Sequence, residues 1–299
     1  MIRTGIREIG RRMRIVCTWY GLNLVFAIVI VAPLAIAIAA ALGQSLENSR
    51  LFQNFDMSWI VEFGYSARWE QLTVWLPLFA MIGAAFVLLT TWLSGGLLAV
   101  LRDPGDSFFA GCARWFPPFL RLFLFAVIGY GIAFGIRTGF GALMTKLSAD
   151  SMSGQPSAYG SMAGLVVFWA AVSLVNMTLD YSKIHMVAYG ERKARRGIVS
   201  GIRFVFRNFR RCASVYLALT GYMLLMMAVY HVWSEVIGQA SIGAVVVLFF
   251  VRQIYMFGRT WLRMVFLASQ HVYFASLIPK PPTPEPEPLQ ESFEFNESY

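Results

Sequence analysis

The chain has 299 residues, 58% of them apolar and 14% charged, with a net charge of +9 and a mean hydropathy of +0.60. That balance lies outside ordinary soluble composition and excludes a water-soluble enzyme or binding domain. The polar connections between its apolar segments are too short to hold an independent globular domain.

Six apolar windows, near 17–42, 72–100, 117–137, 160–181, 213–235 and 241–263, reach the roughly 20 residues needed to cross a hydrocarbon core of about 30 Å. The first follows Arg3, Arg7, Arg11, Arg12 and Arg14, as a signal peptide would. Its apolar run exceeds the roughly 7–15 residues of a cleaved segment, so it is expected to remain as a span. Between the first two spans, Phe52, Phe55, Trp59 and Phe63 recur at helical spacing and suit an interfacial aromatic face or a lid. Gly131, Gly135 and Gly139 put one flat face on the third span, which predicts close packing inside the monomer or, failing that, a dimer seam. The stretch 138–160 is small and polar and reads as a mobile loop. Residues 1–278 thus form a six-span domain. Residues 279–299, with six prolines and five glutamates, read as a disordered acidic tail whose Phe293 and Phe295 could dock on a protein partner.

A pattern recurs three times where the chain enters the membrane. It reads GIREIGRRMRIVC (5–17), GCARWFPPFLRLF (111–123) and GIRFVFRNFRRC (201–212). Each copy has arginines seven residues apart on one helical face: Arg7 and Arg14, Arg114 and Arg121, Arg203 and Arg210. Arg207 matches Arg11 in the first copy. Such segments predict basic interfacial helices whose arginines pair with lipid phosphates. The fold expected is an all-α, polytopic membrane bundle of six transmembrane helices, built as three successive hairpins, each preceded by a basic interfacial helix.

Charge sets the threading. With the N-terminus in the cytoplasm, 20 of the 25 Lys and Arg residues fall at inner segments and helix ends, and four (Arg50, Arg68, Arg137, Lys146) fall outside. Both termini are therefore expected in the cytoplasm, and the positive balance points to anionic lipid rather than nucleic acid.

The remaining cation, Arg252, sits mid-span, with Arg259 and Arg263 on the same helical face. A charge at that depth persists with a partner or a wet cavity. Asp180, the carboxylate nearest in depth, is expected to pair with Arg259. Arg252 is left to Asn23, Asn176, Tyr130, helix carbonyls or a lipid phosphate, or to snorkel. Cys17, Cys112 and Cys212 read as reduced packing residues. His185, His231 and His271 are isolated, and no metal-binding, nucleotide-binding or nucleophile motif is present. No cofactor, metal or enzymatic activity is expected.

The span ending in Asp, the basic stretch and the Arg-rich segment in LDYSKIHMVAYGERKARRGIVSGIRFVFRNFRR (179–211), echoed in GGLLAVLRDPGDSFFAGCARWFPPFLRLF (95–123), resemble poorly characterised bacterial six-span inner-membrane proteins. Six spans after an N-terminal interfacial helix are also similar to permease subunits of ABC exporters. The first likeness implies a non-enzymatic inner-membrane protein that engages anionic lipid or a membrane partner in envelope organisation or assembly. The second implies a transporter subunit using the Arg252, Arg259 and Arg263 seam.

Overall fold

The computed structural model describes residues 1–42, 69–147, 155–237 and 242–277. These residues form α1 (Ile2–Gly10), α2 (Met13–Leu42), α3 (Trp69–Arg102), α4 (Phe108–Leu147), α5 (Gln155–Tyr189), α6 (Ala194–Arg207), α7 (Phe209–Ile237) and α8 (Ile242–Leu277). Helices α2, α3, α4, α5, α7 and α8 are each long and apolar enough to cross a membrane, as expected of an all-α six-span bundle. The tail 279–299 and the aromatics Phe52, Phe55, Trp59 and Phe63 lie outside the described residues. The stretch 138–160, expected to be a loop, is helical at both ends: α4 runs to Leu147 and α5 begins at Gln155.

Two of the three copies form separate short helices. In α6, Ala194, Gly197, Gly201 and Val205 are buried at steps of three and four, while Arg203 and Arg207 face outward. Asn208 ends the helix, its side-chain nitrogen donating to the Phe204 carbonyl at 3.1 Å. In α1, Gly5 and Ile9 are buried and Arg7 is exposed. The middle copy departs from expectation. It forms the opening turns of the continuous 40-residue α4, which runs on through Pro117 and Pro118. The connection from α3 spans only residues 103–107, which leaves no length for a separate helix.

The buried core sits at one end of the bundle. It joins Val16 and Trp19 of α2, Leu93, Leu97 and Leu98 of α3, and Phe119 and Leu122 of α4. Tyr181, Ile184 and Met186 of α5, Leu219 of α7, and Met264, Leu267 and Tyr273 of α8 complete it. This is the start of each outgoing span and the finish of each returning one, so α1 and α6 lie at the same end. At the opposite end the helices expose Val29, Ile132, Leu225 and Phe250. Lipid tails solvate such side chains as well as another helix would, so a bilayer gives no drive to bury them.

Glycines set the docking of the three copies. A Cβ on Gly5 of α1 would stand 3.0 Å from the Ser269 backbone nitrogen of α8. One on Gly201 of α6 would stand 3.0 Å from the Ser182 Cα of α5, and one on Gly111 of α4 would stand 3.2 Å from the Gly96 Cα of α3. Each copy therefore docks on a returning span, and α1 on α8 brings the first helix against the last. Two arginines strengthen this end. Arg12 Nη1 donates to the Val100 carbonyl at 2.6 Å and Arg102 Nη1 to the Val187 carbonyl at 2.9 Å. These carbonyls belong to the last turns of α3 and α5, where helical acceptors lack intrahelical donors. Gly131, Gly135 and Gly139 behave differently from expectation: a Cβ there would meet nothing within 4 Å. Their face is open within the monomer. Cys112 and Cys212 are buried, whereas Cys17 is exposed.

Candidate functional site

Helix α5 carries Asn176, Asp180 and Lys183 at steps of four and three, a polar stripe on a largely apolar helix. Asp180 is 3% exposed, and its Oδ1 lies 3.8 Å from Nη2 of Arg263 on α8. Its second oxygen has no hydrogen-bond partner. Lys183 lies within electrostatic reach of Asp180, with its ammonium 5.9 Å from the centre of the Phe119 ring. Tyr130 of α4 donates a hydrogen bond to Asn176 Oδ1 at 2.5 Å. It and Tyr216 of α7 stand within electrostatic reach of both Asp180 and Arg263. Four helices thus converge on one buried carboxylate.

This corrects the expected Asp180–Arg259 pair. Helix α5 begins at Gln155 rather than near 160, which sets Asp180 more than one turn deeper and makes Arg263 of α8 nearer to it in depth than Arg259. Arg263 lies four residues past Arg259 and shares its face. Side-chain exposure of 48% at Arg263 keeps part of its charge solvated, so the pair is a tie rather than a sealed ion pair. The stripe of Asn176, Asp180 and Lys183 was legible in the sequence by the same spacing rule that singled out the α8 arginines.

Arg252 is exposed, and its partner is none of Asn23, Asn176 or Tyr130. Its Nε donates to the Tyr230 hydroxyl of α7 at 3.2 Å, beside a stacked pair formed by Tyr230 and Tyr255, 4.5 Å between ring centres. Asn176 and Tyr130 satisfy each other. Arg252 therefore ties α7 to α8 through one long hydrogen bond, which contributes about 1 kcal/mol or less. Arg252→Gln is expected to shift thermal stability in detergent by about 1 kcal/mol or less. A loss beyond about 2 kcal/mol would make it a structural residue.

The interfacial arginines divide in two. Arg7, Arg14, Arg203, Arg207 and Arg210 are exposed on α1, α2, α6 and α7, beside the exposed apolar side chains Ile6, Met13, Ile202, Phe206 and Phe209. Arg114 instead is held by Asp106, with contacts of 2.9 and 3.4 Å. Arg121 lines an open cleft of about 710 Å³ between α4, the end of α5 and α6. Among the described residues no group of three His, Cys, Asp or Glu side chains is set to hold a metal ion. No protein family, curated protein or solved structure matches the chain. The geometry defines a multi-pass membrane protein with a basic end.

Proposed function

We propose that this is a non-enzymatic integral protein of a bacterial inner membrane that engages anionic lipid, or a membrane partner, in envelope organisation or assembly. The carrying observation is the row of exposed arginines on α1, α6 and the start of α7 beside exposed apolar side chains, at the end of the bundle where the core is densest. Guanidinium groups at that level meet lipid phosphates while the apolar neighbours sit among acyl chains. A transporter subunit is the second reading. With Arg263 held by Asp180 and Arg252 by Tyr230, the α8 arginines support ties between helices better than a permeation path.

Arg203→Gln, Arg207→Gln and Arg210→Gln together are expected to weaken phosphatidylglycerol binding by about 3 kcal/mol at low ionic strength, at about 1 kcal/mol per charge. The measurement is titration of the lipid into protein in zwitterionic micelles, and the difference should shrink in high salt. Unchanged binding at low salt would leave these arginines as topology signals alone.

Both termini are assigned to the cytoplasm by the charge bias. In a cysteine-free background, Ser153→Cys should react with an impermeant thiol reagent in intact cells and Ser200→Cys should not. The reverse pattern would invert the threading.

A further inference from the structure

The cleft between α4, α5 and α6 has a chemistry that the outward arginines do not share. Its wall holds Arg121 from α4 and Lys193, Arg195 and Arg196 from the start of α6, against one carboxylate, Glu191. Glu191 is already committed: its Oε2 lies 3.5 Å from Arg196 Nη1 and its Oε1 accepts from the Lys193 backbone N–H at 3.3 Å. Arg121, Lys193 and Arg195 therefore remain for an anion. Helix α6 adds to them, because its 14 residues start here with no side-chain cap and no acidic residue in the first turn. The first-turn N–H groups and the positive end of the helix dipole favour a phosphate.

The cleft also has an apolar exit. On α4, Leu124, Ile128 and Ile132 follow Arg121 at steps of three, four and four, each at least 60% exposed, and run away from the basic end. That stripe is a track for an acyl chain whose headgroup sits at Arg121. Val199 of α6 flanks the headgroup level.

Resting on the reading that the basic end engages anionic lipid, we propose that this cleft is a specific site for a phospholipid with two phosphates, of the diphosphatidylglycerol type. Three uncommitted cations and a helix N-terminus exceed what one phosphodiester needs and match two. The bound lipid would place its phosphates between Arg121 and the α6 start and one chain along Leu124 and Ile128.

The test is native mass spectrometry of the full chain in detergent, titrated separately with diphosphatidylglycerol, phosphatidylglycerol and phosphatidylcholine. The wild type should prefer the first over the second at least about tenfold. Arg121→Gln with Arg195→Gln should weaken diphosphatidylglycerol about 25-fold and erase the preference, at the usual contribution per basic residue. Arg137→Gln, at the far end of α4, should change nothing. Arg203→Gln with Arg207→Gln should weaken both anionic lipids together and keep their ratio. If the double cleft variant fails to fold, Val199→Glu sets a carboxylate at an exposed position beside the cleft and should erase the same preference. A wild type that prefers both anionic lipids to phosphatidylcholine equally overturns the cleft site and leaves the surface reading standing. Absence of any anionic preference overturns both. Displacement of the lipid by inorganic pyrophosphate at equal concentration would make it a free-anion site and overturn the proposal.

Discussion

Gly201→Val is expected to lift α6 from α5 and to cost about 3 kcal/mol of stability, with Gly5→Val close behind. The position leaves no room, since even a Cβ at Gly201 would approach the Ser182 backbone to 3.0 Å, and one at Gly5 would approach the Ser269 backbone equally. Overpacking of this kind costs about 1–3 kcal/mol, and here the obstacle is backbone, which cannot rotate away. Gly131→Ala and Gly10→Ala supply the contrast. Nothing lies within 4 Å of a Cβ at either, so each should be neutral or gain up to about 1 kcal/mol from lost chain entropy. Thermal unfolding in detergent, followed by tryptophan fluorescence, reads all four. Equal effects at Gly201 and Gly131 would dismiss the docking role.

Arg263→Gln is expected to cost about 2 kcal/mol. Breaking a fully buried ion pair costs about 3–5 kcal/mol, and the half-exposed guanidinium reduces that. Asp180→Asn should cost less, because it removes the buried charge and leaves Arg263 in contact with solvent. The double variant should recover about 1 kcal/mol relative to the sum of the single changes, the signature of coupled neighbours. The same cycle run with Arg259→Gln should be additive. Coupling to Arg259 in place of Arg263 would return the pair to its sequence-based assignment and displace α8 by one turn.

How much of this was legible in advance differs from element to element. The six spans follow from runs of apolar side chains, a local property that bilayer thickness converts directly into helices. The amphipathic character of α1 and α6 is equally local, because arginines seven residues apart, Arg7 and Arg14 or Arg203 and Arg210, fall on one helical face beside apolar side chains. Hydropathy places the partner of Asp180 one turn away from its true position, because it misses the residues 155–159 that begin α5.

Composition and spacing by themselves determined the class, the number of spans and which segments carry the arginines, since each depends on neighbours within one helix. Tertiary structure alone decided that α1 closes on α8, that Gly5 and Gly201 are contact points while Gly131, Gly135 and Gly139 are open, and that Arg12 and Arg102 cap the ends of α3 and α5. The physical reason is the solvent. In lipid an apolar face is satisfied by acyl chains as well as by another helix, so hydropathy cannot say which face meets a partner. That choice falls to steric fit at small residues and to the few polar groups that must find one another, and both are properties of the assembled bundle.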